Sequence, residues 1–257
     1  MRLGCLPYLN VKPLVYPFEH GELPRDWELV YAPPAELAGM LSRGEIAAAP
    51  VSSFATFMDP ELEIVPGMCI AADGSVKSVV MLSKKSAAEL DIVALDSGSL
   101  SGANMLRIIL EEAYGLTPTY VTMAPEPVST MLEKCDAAMV IGNPAMLYPK
   151  DGFIVLDVAE EWKKLTGLPA VFAVWAGKRL KPELVSALQD SKRRGLKMVR
   201  EIALEESAKL GLPFEVCYEY LSHTITYDLG EREMQSLKVF RGKAEAHGLL
   251  DQEAVRA

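Results

Sequence analysis

Short apolar runs alternate with amphipathic stretches through the first two thirds of the chain, and this alternation predicts strands and helices in turn. Arg2 to Pro7 reads as a first strand, Val11 to Glu19 as a helix and Trp27 to Ala32 as a second strand. Pro33-Pro34-Ala35 then opens a helix to Arg43, closed by Gly44; proline just inside a helix and glycine just past its end are its usual punctuation. Ile46 to Val51, Leu62 to Val65 and Ser78 to Leu82 follow as strands, the last after the Asp73-Gly74-Ser75 turn.

A second series starts near Ser86. Asp91 to Leu95 is a strand, Ser97 to Asn104 a polar loop, and Met105 to Tyr114 an apolar-periodic helix. Thr119 to Thr122, a helix around Val128 to Cys135, Ala137 to Ile141, Phe153 to Leu156 and Phe172 to Trp175 continue the alternation. After Lys181 the pattern turns helical, with amphipathic stretches at Pro182 to Lys209, Pro213 to Ser222 and Gly230 to His247. The fold class expected is α/β in two lobes with a helical C-terminal segment. Lobe I comprises residues 1–87 plus 176–257, lobe II comprises 88–175, and a ligand cleft lies between them, the usual place for one in such architectures.

Composition narrows the partners. The 257 residues are 50% hydrophobic with a net charge of −9, enough material for a core and no basic stripe to meet nucleic acid or an anionic membrane. No apolar run approaches the roughly 18 residues that cross a bilayer. Arg2-Leu3-Gly4-Cys5 has the look of a lipoprotein cleavage site without the apolar segment that precedes one, so a cytoplasmic location is expected. Cys5, Cys69, Cys135 and Cys217 are far apart, as are His20, His223 and His247, so neither a disulfide framework, a metal site nor a cofactor is expected.

Polar clusters fall at the ends of the apolar runs. Tyr8 and Asn10 follow the first strand, Ser52 and Ser53 the third, Ser75 and Ser78 come after the fourth, and Gly142-Asn143 follows Ile141. An Asn before a Pro serves equally as a turn or cap residue and as a ligand-binding amide. The loop carrying Ser99, Ser101, Gly102 and Ala103 is the best anion site, since free N–H groups and the positive end of a helix macrodipole would face a carboxylate; an ordinary Ser cap is the plain alternative. Thr166, in a Thr-Gly-Leu-Pro turn before Phe172 to Trp175, is a further candidate at a strand entry. No Walker loop, dinucleotide fingerprint, nucleophile elbow or zincin motif is present.

Together, Pro7-Tyr8-Leu9-Asn10 with Pro13-Leu14, Pro50-Val51-Ser52-Ser53, Gly74 to Val79, Ser99-Leu100-Ser101-Gly102, Asp136 to Gly142 and Trp162 to Trp175 resemble the chorismate dehydratase family. That family belongs to the futalosine route to menaquinone and shares a fold with type II periplasmic binding proteins. The likeness spans nearly the whole chain. It implies a hydro-lyase that converts chorismate, a small dicarboxylate, to 3-[(1-carboxyvinyl)oxy]benzoate, with Asn10 and Ser78 catalytic. Tyr8, Ser52, Ser53, Ser99, Ser101, Gly102, Ala103, Asn143 and Thr166 would bind substrate. Two positions depart from the family pattern: Gly102 stands where Ser is common and Asn143 where Asp is usual. The naphthoate-forming enzyme of the same pathway, which usually begins with a Ser-Pro-Cys-Pro-Asn-Asp-like segment, and a non-catalytic solute-binding or sensor protein are the alternatives. Oligomeric state is left open.

Overall fold

The computed structural model describes residues 1–22, 24, 26–124 and 126–250. Two five-stranded sheets carry the architecture. The first runs β2 (Glu28–Tyr31), β1 (Arg2–Cys5), β3 (Ala48–Ser52), β10 (Ala170–Gly177), β4 (Glu63–Ala72). The second runs β7 (Thr119–Met123), β6 (Ile92–Asp96), β8 (Ala137–Ile141), β5 (Val79–Ser83), β9 (Ile154–Asp157). In each, three strands pair parallel and a fourth enters antiparallel: β10 between β3 and β4, and β5 between β8 and β9.

Those two antiparallel strands correct the expected boundaries. Val79–Ser83, assigned to the first unit by a division at 87/88, pairs with β8 and β9 of the second sheet. Ala170–Gly177, assigned to the second by a division at 175/176, pairs with β3 and β4 of the first. The chain therefore crosses between sheets at residues 73–78 and again between β9 and β10. An apolar strand buried on both faces, as Val79–Ser83 is throughout, carries no mark of which sheet it joins. Residues 251–257 of the expected first lobe lie outside the described residues.

The helices are α1 (Lys12–Pro17), α2 (Pro34–Ser42), α3 (Ala55–Met58), α4 (Leu100–Tyr114), α5 (Val128–Lys134), α6 (Gly142–Leu147), α7 (Val158–Thr166), α8 (Pro182–Gly195), α9 (Val199–Leu210), α10 (Phe214–Glu219) and α11 (Glu231–Ala246). The single helix expected over Pro182 to Lys209 is two, α8 and α9. Gly195 closes the first against α1, where a Cβ would stand 1.9 Å from the Pro13 carbonyl oxygen, so only glycine permits the approach. Between the sheets, Trp162 of α7 is fully buried; its indole N–H donates to Ser236 Oγ at 3.1 Å, which donates to the Pro169 carbonyl at 2.6 Å. Phe54, Phe57 and Phe240 pack beside it with ring centroids 5.4–5.8 Å apart, so α3, α7 and α11 share one core.

Candidate active site

A cavity of about 210 Å³ opens between the two sheets. Its wall brings together Tyr8, Asn10, Ser52, Ser78, Ser99 and Ser101, six of the residues singled out in the sequence. Each sits at or near an end of a strand or at a helix start, Ser52 closing β3 and Ser78 directly preceding β5, where the ladder stops and a polar side chain is free to face a ligand. The rest of the wall is mostly apolar, including Leu6, Ile70, Val76, Val79, Ile141 and Phe172, and among the described residues none of it is charged.

The N-terminus of α4 forms one side. Ser97, Gly98, Ser99, Leu100 and Ser101 all line the cavity, and Ser99 Oγ caps the helix by accepting from the Gly102 N–H at 3.2 Å. A 15-residue helix aimed this way presents its positive end to the cavity. Behind it the buried Asp96 carboxylate accepts the Gly98 N–H at 2.7 Å; burial raises its pKa and that hydrogen bond lowers it in part. Burial, then the charge of Asp96, raises the pKa of Tyr8.

Ser101 ties the two sides of the cavity together. Its Oγ lies 2.6 Å from Ser52 Oγ and 2.9 Å from Ser53 Oγ, and accepts the Phe54 N–H at 3.2 Å. Ser53 Oγ donates to the Val171 carbonyl at 2.6 Å, and a carbonyl can only accept. The remaining protons are then determined. Ser53 has spent its own, so Ser101 donates to Ser53, and Ser52 donates to Ser101. Ser52 therefore faces the cavity with lone pairs only.

Ser78 is reached from an unexpected direction. It follows a loop held by Asp157, whose carboxylate accepts from Ser75 Oγ (2.8 Å) and from the N–H groups of Val76 (3.1 Å) and Lys77 (2.7 Å), while also capping α7 through Ala159 (3.1 Å) and Glu160 (3.2 Å). Lys77 is held at φ +63°, a left-handed conformation that costs a non-glycine residue about 1 kcal/mol. The Tyr220 hydroxyl, just beyond α10, donates to Ser78 Oγ at 2.8 Å. Burial pushes the Tyr220 pKa up to about 12, against the lowering effect of Ser78 and then of the Asn10 amide beside it. Asn10 Oδ1 is buried with no hydrogen-bond partner among the described residues.

Other expected ligand residues stand behind the wall. Ser53 is fully buried. Gly102 packs so tightly that a Cβ would meet Met139 Cε at 2.6 Å and Ser99 Oγ at 2.7 Å, so this chain fills with Met139 the space a serine there would take. Ala103 is buried one turn into α4. Asn143 Oδ1 accepts the Leu9 N–H at 3.3 Å and so braces the turn that carries Tyr8 and Asn10. Thr166 is a correction: its hydroxyl donates to the Trp162 carbonyl at 2.8 Å and accepts from Leu168 N–H at 3.2 Å, closing α7 away from the cavity. Ser75 likewise turns to Asp157. Among the described residues no basic side chain joins the wall: Lys12 pairs with Glu19 at 2.9 Å and Lys77 with Glu219 at 3.3 Å, while Arg107 lies over the Tyr120 ring at 4.9 Å. The four cysteines are free and buried. Among the described residues there is no grouping of three or more His, Cys, Asp or Glu that could hold a metal ion, and no helix long and apolar enough to cross a membrane.

Two sheets joined by two crossovers, with a cavity between them at strand ends and a helix N-terminus, define a protein of the periplasmic-binding-protein fold. The backbone superposes on a protein of Archaeoglobus fulgidus with a TM-score of 0.79 at 19% identity, covering 96% of this chain and 97% of that one. It also superposes on the periplasmic aliphatic sulphonate binding protein SsuA of Escherichia coli with a TM-score of 0.66 at 15% identity, covering 98% and 94%. Within that fold the chain belongs to the menaquinone biosynthesis family, whose model matches residues 1–246. It is 32% identical to the chorismate dehydratase of Thermus thermophilus over 268 aligned positions, which cover 96% of this chain and 95% of the relative.

Proposed function

We propose that the protein is a chorismate dehydratase, a hydro-lyase of menaquinone biosynthesis acting in the cytoplasm on a small dicarboxylate. The observation that carries this reading is the pairing of Ser78 and Asn10, a hydroxyl and an unpartnered amide oxygen, on the wall of a cavity whose described residues include no charged side chain. Such a site has hydrogen-bonding groups to place a ring and support a leaving group, but among the described residues of its wall no carboxylate or imidazole to act as base.

The reaction suits that inventory. The C3–H bond breaks and its electrons form the C3–C4 double bond as the C4–O bond breaks, so one water leaves and the ring becomes aromatic. The enolpyruvyl carboxylate of the substrate, held beside C3, takes the proton and passes it on to the departing hydroxide, which leaves as water. Ser78 and Asn10 hold the C4 hydroxyl as it departs, and the α4 N-terminus, with its helix dipole, receives substrate carboxylate. Positioning and preorganised hydrogen bonds supply the acceleration, without a protein base of shifted pKa.

Incubation with chorismate, without added metal or cofactor, tests this. Decay of the diene absorbance with a product one water lighter and the enolpyruvyl group retained is the expected result. Binding without turnover would instead favour a sensor, and neither would point to the naphthoate-forming reaction.

A further inference from the structure

We propose that Tyr220 is a positioning residue for this chemistry, its hydroxyl fixing which way Ser78 and Asn10 face so that the pair offers one donor and one acceptor to the departing hydroxyl. The inference rests on the dehydratase reading. Its basis is proton accounting at a buried hydroxyl. Tyr220 has one proton and gives it to Ser78 Oγ at 2.8 Å, so toward Asn10 it has only lone pairs left. The Asn10 amide beside it must then turn its N–H₂ to Tyr220, which leaves Oδ1 turned away, the atom that is buried without a partner among the described residues. Ser78 Oγ already accepts from Tyr220, so its own proton is free for the cavity it lines.

A substrate hydroxyl placed there accepts from Ser78 and donates to Asn10. The Ser78–Asn10 pair thus matches an alcohol and not a carboxylate, which has no proton for Asn10 Oδ1. Tyr220 touches neither the cavity nor the substrate: it is absent from the wall and almost wholly buried. Its effect passes through Ser78 and Asn10, and hydrogen bonds in series strengthen one another, so a Ser78 that accepts from Tyr220 is the better donor as charge develops on the leaving oxygen.

Steady-state kinetics on chorismate with the wild type, Tyr220→Phe, Ser78→Ala and the double variant test this. Tyr220→Phe should lower kcat by about 10- to 100-fold, less than loss of a direct donor, with KM within about threefold. In the Ser78→Ala background the same change should lower kcat by less than about threefold, because the group it acts through is gone. A wild-type kcat for Tyr220→Phe, or an equal loss in both backgrounds, overturns the inference and leaves the dehydratase reading standing. A wild-type protein inert toward chorismate overturns the dehydratase reading, and this role with it. Should Tyr220→Phe not fold, 3-fluorotyrosine at position 220 keeps ring and hydroxyl and is a stronger donor; it should match or exceed the wild-type kcat, and a tenfold loss would overturn the role.

Discussion

Ser101 Oγ, on the first turn of α4, stands 2.6 Å from Ser52 Oγ at the end of β3, so one hydroxyl contact joins the two sheets across the cavity. Because the donor directions are determined, the two partners are unequal. Ser101→Ala strips the acceptor from the Phe54 N–H and the donor from Ser53, leaving a buried N–H unsatisfied at about 1–3 kcal/mol. Ser52→Ala removes only a donor to an oxygen that keeps another. Thermal melts should show Tm falling by about 2–10 °C for Ser101→Ala and by less than about 2 °C for Ser52→Ala.

Asn10→Ala and Ser78→Ala should each lower kcat on chorismate by about 10²–10³ with circular dichroism and Tm little changed, since each removes one preorganised group at the reacting centre. Turnover at the wild-type rate in both would remove them from the chemistry.

Asp157 holds the loop before Ser78 from the far side. Asp157→Asn turns an N–H₂ toward donors that need acceptors, and should cost about 2–4 kcal/mol in denaturant unfolding together with a fall in kcat. Lys77→Gly, at φ +63°, relieves the strained backbone while adding unfolded-state entropy, and should leave stability within about 1 kcal/mol of wild type.

Two glycines in helices should respond in opposite directions. Gly195→Ala drives a methyl into the Pro13 carbonyl at 1.9 Å and should destabilise by about 2–4 kcal/mol or abolish soluble expression. Gly242, in α11, has nothing within 4 Å of its Cβ position, and Gly242→Ala should gain about 0.5–1 kcal/mol of helix propensity.

His247 ties the end of α11 to α4. Its ring nitrogens lie 2.9 Å from Glu111 and from Glu112, and Glu112 first, then Glu111, holds its pKa above the usual imidazole value against some desolvation. A raised folded-state pKa contributes stability fully below the unfolded value near 6.5 and loses it as pH rises through the folded value. The Tm gap between wild type and His247→Gln should therefore be about 1–4 °C at pH 5.5 and shrink by pH 9.

Much of the site is legible in the chain because polar residues at the ends of apolar runs mark where a strand stops. Tyr8, Asn10, Ser52, Ser99 and Ser101 all stand at or just beyond such ends, and Ser78 marks where β5 begins. Tyr220 does not: with Tyr218 and Tyr227 it reads as helical packing, and its partner lies 142 positions away. Thr166 misleads because its Thr-Gly-Leu-Pro turn is a helix end, with Gly167 at φ +73°. Leu62 to Val65 reads too short because Pro66-Gly67 signals a break. The strand instead runs on through an irregularity in its pairing with β10, with Gly67 at φ +71°. The exchange of β5 and β10 between the sheets is set by long-range pairing that a local pattern does not carry.

The uncharged wall has a consequence for what acidity can do to this protein. Among the described residues of the cavity lining, Tyr8 alone has an ionisable side chain, and burial and Asp96 keep it protonated well past neutrality. Helix dipoles, amides and serine hydroxyls do not titrate in water's ordinary range. Ligand capture should therefore run level across the neutral pH range, and any slope that appears there belongs to the small molecule or to the buried Asp96 behind the wall.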